Sequence, residues 1–394
     1  MESTVKDIVQ RAHSKSEELR KNKRLEAQSS KRNLSKDDFN HEISEKEAKT
    51  LFNLCKSGKL SVAQLRDLSQ ALSSKPEFST TFLNSDGCLH GLVGFLSGSD
   101  PSKQVVAVQC LVNLAGQGYK CPLVAKSAGA YLVTLTAGTN KILAEHSCLV
   151  ISNLCLGDRL AVPILLGLDA VQNLVNLAET SADSVQEAAL QALYHLVRGE
   201  QLSPDTARTL VTSATRLLSA VPPRDLPPIH LLWLLYLLSS QQALHNFLAH
   251  RTFIHQCLDL ATYEIFQKCD SRPLVKLLTP VVRILANLAA GPDSGNAAEQ
   301  MDLTKHLKDF TNVFPVSVSV CLCLVRHPDL AAILTALLST NYVHLCREAL
   351  WLFANIVNNE SVTVQEEFVN LDLMDKLETH AVHAVGRLDP YALG

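Results

Sequence analysis

One short phrase recurs along this chain at intervals of about forty residues, and it limits the fold more than any other feature. It reads AVQCLVNLA at Ala107–Ala115, SCLVISNLC at Ser147–Cys155 and ALQALYHLV at Ala189–Val197, then VVRILANLA at Val281–Ala289 and ALWLFANIV at Ala349–Val357. Aligned on its polar residue, the phrase places Asn113, Asn153, His195, Asn287 and Asn355 at one position. Apolar residues stand two before, one after and five before: Leu111, Leu114 and Val108 in the first copy, Phe353, Ile356 and Leu350 in the last. That spacing puts the apolar set on one face of a helix, with the polar residue at its edge.

The intervals carry the argument further. Asn113 to Asn153 spans 40 residues, Asn153 to His195 42, His195 to Asn287 92 and Asn287 to Asn355 68. The longest gap has room for two units, and the dense segment IHLLWLLYLL, Ile229–Leu238, falls in its middle. The last gap fits one unit plus an insertion, with Gly291–Gln300 as part of it. A period of roughly 40–47 residues with two or three helices per unit is the signature of armadillo and HEAT repeats. A single unit cannot bury its own apolar face, but stacked units build one continuous core. Composition agrees: the chain is 47% hydrophobic but only 5% aromatic, with 16 Gly and 15 Pro, so its core is built from Leu, Val and Ala. The expectation is an all-α, right-handed armadillo-type superhelix of seven to eight units.

Upstream of the Asn-bearing phrases lie apolar helices expected to open with a turn or capping residue: Asp86–Leu96, Ala128–Leu135, Leu168–Ala178 and, after the last phrase, Leu371–Leu377. The glycine series Gly87, Gly91, Gly94 and Gly98 reads as turn and close helix packing rather than a membrane-helix motif. The 11 cysteines are scattered through Leu/Val-rich stretches without a CxxC, which points to reduced core thiols and a cytosolic or nuclear location. Leu226–His250 lacks any Asp, Glu, Lys or Arg, but its dense part is ten residues long. A membrane span needs roughly 20 apolar residues, so this stretch reads as a buried helix.

Charge is unevenly placed. Residues 1–50 carry 12 basic and 10 acidic side chains, although the whole chain is at −3. From Arg11 to Lys36 nine basic residues face only Glu17, Glu18 and Glu26. A basic arm at 1–45 on an acidic body at 46–394 is suited to docking on an acidic partner.

These residues together resemble a known group. The body is similar to armadillo proteins of the importin-α type, in which the third helix of each repeat lines a concave groove and often carries Trp-x-x-x-Asn. Trp351 and Asn355 match that pattern in full. Asn113, Asn153 and Asn287 match the Asn alone, preceded by Gln109, Leu149 and Arg283, and His195 replaces Asn. Trp233 has Leu237 where the Asn would stand. The resemblance implies that these Asn grip an extended peptide backbone and that the Trp walls a slot for a Lys stem; the broken ladder argues against ordinary basic-signal binding. Residues 18–34, ELRKNKRLEAQSSKRNL, resemble an importin-β-binding segment through Leu19, Arg20, Lys21, Lys23, Arg24, Lys31, Arg32 and Asn33. With the phrases GCLHGLVGFL, VVRILANLAAG and EALWLFANIVNN, the order of parts looks most like the transmembrane and coiled-coil domain-containing protein 6 family.

No phosphate loop, HExxH or GxSxG occurs, so no enzyme, metal or cofactor is expected. Three readings follow. The first is an importin-α-like adaptor, with cargo in the groove and an importin-β-type carrier on the arm. The second is a scaffold for one dedicated protein partner. The third is a membrane-associated armadillo protein. None of them calls for nucleic acid.

Overall fold

A computed structural model of the 394-residue chain describes residues 43–200, 202–222, 225–267, 272–290, 316–340 and 342–369. The chain divides between Glu47 and Ala48 into two compact units. Ser44, in the first, opens α1 (Glu45–Lys56) with a reciprocal cap, and the helix from Ala48 onward belongs to the second. The Glu47 amide donates to Ser44 Oγ at 3.3 Å, and the Ser44 amide donates to Glu47 Oε2 at 2.8 Å.

The second unit is an all-α solenoid; among the described residues every regular element is a helix. Its helices are α2 (Val62–Ser74), α3 (Pro76–Asn84), α4 (Cys88–Gly94), α5 (Pro101–Gly116), α6 (Cys121–Thr136), α7 (Lys141–Gly157), α8 (Val162–Leu166), α9 (Ala170–Thr180) and α10 (Asp183–Val197). They continue with α11 (Pro204–Ala220), α12 (Ile229–Ser239), α13 (His245–Leu248), α14 (Arg251–Gln267), α15 (Arg272–Ala289), α16 (Val316–Val325), α17 (Leu330–Ser339), α18 (Val343–Val357) and α19 (Val362–Val369). Two rows run through this unit. In the first, α2, α5, α7, α10, α12, α15 and α18 each pack on the next. All five recurring phrases lie on this row, which is called the Asn-bearing row below. In the second, α4, α6, α9, α11, α14 and α17 follow one another and cover it.

The sequence places the breaks between these helices with ordinary start signals. Asp100 accepts hydrogen bonds from the Ser102 and Lys103 amides ahead of α5, with Pro101 in the first turn. Asn140 does the same for Ile142 and Leu143 ahead of α7, and Ser203 caps α11 in front of Pro204. A side-chain acceptor satisfies amides that have no partner inside the helix, and Pro has none to satisfy. The core is aliphatic, as the composition requires. Leu65, Leu111, Leu132, Ile151 and Leu154 are fully buried, and Phe82 is the one aromatic among the largest such side chains.

The segment Ile229–Leu238 fills the place the spacing left open: α12 joins α10 to α15. Leu231, Leu232, Leu234, Leu235 and Leu238 are buried, so its apolar surface is spent on both neighbours. No single helix among the described residues is long and apolar enough to cross a membrane. One expectation changes. Ala128–Leu135 does not open with a turn; α6 runs unbroken from Cys121 to Thr136. Gly129 serves packing instead, since a Cβ there would stand 2.9 Å from Leu168 Cδ1. Of the series read as turn and packing glycines, Gly87 and Gly91 act so, whereas Gly94 lies within α4 with open space around it. Gly87 takes φ 80° ahead of α4, a left-handed conformation that L side chains rarely adopt. Gly91 brings α4 against the end of α1. The segments 291–300 and 371–377 lie outside the described residues.

Candidate peptide-binding face of the Asn-bearing row

The four asparagines occupy equivalent places, and each turns its amide toward the preceding helix of the row. Asn153 Nδ2 donates to the carbonyl of Val112 at 3.3 Å, and Val112 is the residue just before Asn113. Asn355 Nδ2 donates to the carbonyl of Ala286 at 2.9 Å, just before Asn287. Asn113 Nδ2 reaches Ser69 on α2, donating to its carbonyl at 2.9 Å and its hydroxyl at 3.0 Å. Asn287 Nδ2 donates to Ser239 Oγ at 2.9 Å. The amides thus tie successive repeats together. Asn113 and Asn153 are buried, Asn287 and Asn355 half-buried. Removing a buried donor leaves its acceptor unpaired, at about 1–3 kcal/mol. Asn113→Ala is therefore expected to lower the unfolding free energy by about that much, measured by urea denaturation followed by circular dichroism.

The position four residues earlier stays uncovered along the row. Gln109, Leu149, Gln191, Trp233 and Arg283 are half-buried, and Trp351 is 39% exposed. His195 is half-buried on α10, with its ring edge-on to Tyr194. From there an aromatic patch extends across α12: Tyr194 lies 6.2 Å from His230 and 6.3 Å from Trp233, and Trp233 stands edge-on to Tyr236 at 5.7 Å. His230 Nδ1 pairs with the carboxylate of Glu187.

Arg283 projects from α15 onto this patch. Its guanidinium carbon lies 5.8 Å from the Trp233 ring centre and 5.4 Å from that of Tyr236. On the far side its Nη2 donates to Glu348 Oε1 of α18 at 2.6 Å. Its Nε is buried and has no hydrogen-bond acceptor among the described residues. Burial works against the charge of Arg283, but the hydrogen bond and charge of Glu348 more than offset it, so the pKa is raised. The sequence pointed to Arg283, Trp351 and the asparagines; it did not single out Glu348, Tyr194 or Tyr236. The available signal was register: Trp233, Arg283 and Trp351 stand at the same position on successive helices, so a cation falls between two indole-bearing helices.

The arm residues Leu19, Arg20, Lys21, Lys23, Arg24, Lys31 and Arg32 lie outside the described residues. The described cysteines are thiols outside any disulfide, and all but Cys323 are buried. Burial pushes the Cys55, Cys155 and Cys257 thiols up to about 12, which keeps them protonated and unreactive. Cys321 Sγ donates to the Ala289 carbonyl at 3.8 Å, within the packing of α16 on α15.

No model of a known protein family matches the chain, and no curated protein matches it. Solved structures do. A crystal structure of an engineered protein is 16% identical, covers 87% of this chain and 94% of its own, and superposes with a TM-score of 0.54. That likeness is one of fold. A designed armadillo repeat protein is 16% identical over 77% of this chain and 99% of its own, with a TM-score of 0.42. A second, crystallised in complex with the peptide (KR)4, is 16% identical over 79% and 99%, with a TM-score of 0.41.

Proposed function

We propose that the chain is a protein-binding adaptor that holds an extended segment of a partner along its Asn-bearing row. The observation that carries this reading is the uncovered position four residues before each asparagine, ending in an exposed indole at Trp351. A large aromatic ring left partly in water on a rigid helix supplies contact area at little entropic cost, which is why Trp is enriched at binding hot spots. The all-helical array offers such positions at a fixed repeat and suits a ligand lying across several units. Buried thiols outside any disulfide are consistent with a cytosolic or nuclear location.

The test is Trp351→Ala in the full chain. Partner binding, measured by calorimetry once a partner has been identified by cross-linking and mass spectrometry, is expected to fall at least about tenfold, since hot-spot truncations cost about 2 kcal/mol or more. The thermal midpoint is expected to stay put, because an exposed side chain contributes within about 0.5 kcal/mol. Equal loss of binding and stability would make Trp351 a packing residue and remove the support.

The finer reading is an import adaptor. The run of basic residues from Arg11 to Lys36 and its resemblance to an importin-β-binding segment support it. Reversing the charges of Arg20, Lys21, Lys23 and Arg24 is expected to abolish capture of importin-β at low salt. Retention of that capture would leave the dedicated scaffold as the better reading.

A further inference from the structure

We propose that Trp233, Tyr236 and Glu348 form a receptor site for a basic side chain, and that Arg283 is its resident occupant. A guanidinium site needs a π face and a carboxylate placed in line with an N–H. Both are present, and neither comes from the helix that carries the arginine: the rings belong to α12 and the carboxylate to α18. The Glu348 side chain is 8% exposed and that of Arg283 24%, so the pair is largely withdrawn from water. The site is thus built by two repeats and filled by the repeat between them.

The consequence is selectivity, and it rests on the reading of the Asn-bearing row as a peptide-binding face. A Lys or Arg of a bound peptide can use this shelf only by expelling Arg283, which then loses both rings and its carboxylate. At this step the wild-type face rejects basic segments, although it displays the aromatic groups that would attract them. The other uncovered positions of the row carry Gln109, Leu149, Gln191, Trp233 and Trp351, none of them charged. Arg283 is therefore the residue that sets which side chains the middle of the row accepts.

The experiment empties the shelf in the full chain and offers it two probes. Arg283→Ala leaves a buried carboxylate alone, so Arg283→Ala with Glu348→Gln is made beside it to keep the fold. Methylguanidinium at millimolar concentration is expected to raise the thermal midpoint of Arg283→Ala by several degrees, while equimolar urea does not and the wild type does not respond. Adding Trp233→Ala is expected to remove the rescue. A folded Arg283→Ala protein indifferent to methylguanidinium would overturn the proposal. The second probe is a short peptide of alternating Lys and Arg. Arg283→Ala is expected to bind it about tenfold more tightly than the wild type, the gain from one desolvated cation–π contact. Equal affinity for the two proteins would also overturn it. Rescue by methylguanidinium with no peptide binding to either protein supports the cation site and counts instead against the peptide-binding reading on which selectivity depends.

Discussion

Gly91→Ala is expected to destabilise this protein by about 3 kcal/mol or more, the range of a substitution that forces packed backbones apart. The added methyl carbon would stand 2.1 Å from the carbonyl oxygen of Cys55, 2.8 Å from its carbonyl carbon and 3.1 Å from Lys56 Cα. All three are main-chain atoms, so no side chain can rotate to make room. Relief requires α4 to move off the end of α1. The buried thiols of Cys55, which donates to the Cys88 carbonyl at 3.6 Å, and of Cys88, which donates to the Phe52 carbonyl at 3.7 Å, depend on that approach. Gly94→Ala is the matched control on the same helix: its Cβ would meet nothing within 4 Å. There the better helix propensity of Ala, worth up to about 1 kcal/mol, is expected to leave stability unchanged or raised. Urea denaturation followed by circular dichroism separates the two, and equal midpoints for both variants would show that the close approach carries no weight.

Glu348→Ala is the second large effect. It leaves the half-buried guanidinium of Arg283 without the one carboxylate it pairs with among the described residues. Breaking a fully buried pair from one side costs about 3–5 kcal/mol. Here the arginine keeps some contact with water, so about 2–3 kcal/mol is expected. Glu348→Gln retains an acceptor for Nη2 and should lose about half as much. Replacing both partners by apolar residues, Arg283→Met with Glu348→Leu, is expected to recover most of the loss, because the orphaned charge is then gone. A double-mutant cycle on thermal midpoints reads this directly. If the paired apolar variant is as unstable as Glu348→Ala, the cost lies in lost packing rather than in the unpaired charge.

Much of this architecture was legible in the sequence, for a definite reason. A repeat writes its period several times over, so the positions of α5, α7, α10, α15 and α18 followed from one aligned polar residue. The gap in that alignment placed α12 before its neighbours were known. What could not be read was which way the asparagines turn. Sequence places Asn153 at the edge of an apolar face; only the stacking distance decides that its amide meets the Val112 carbonyl of the previous helix. The continuous α6 was also illegible, because Gly129 looks like a break until Leu168 is seen against it. The Arg283 shelf was half legible. The register of Trp233 and Arg283 is in the sequence, but Glu348 lies 65 positions beyond Arg283 and joins it only through the packing of α18 on α15.

The asparagine ties have one more implication. At Asn113, Asn153 and Asn355 an acceptor is a main-chain carbonyl, which every amino acid supplies. The neighbouring unit can therefore drift in sequence at that point without loosening its attachment, and units joined in this way can diverge independently. Asn287 is the exception, since it relies on the hydroxyl of Ser239. Among these asparagine ties, the joint between α12 and α15 is the one where two units are obliged to evolve together.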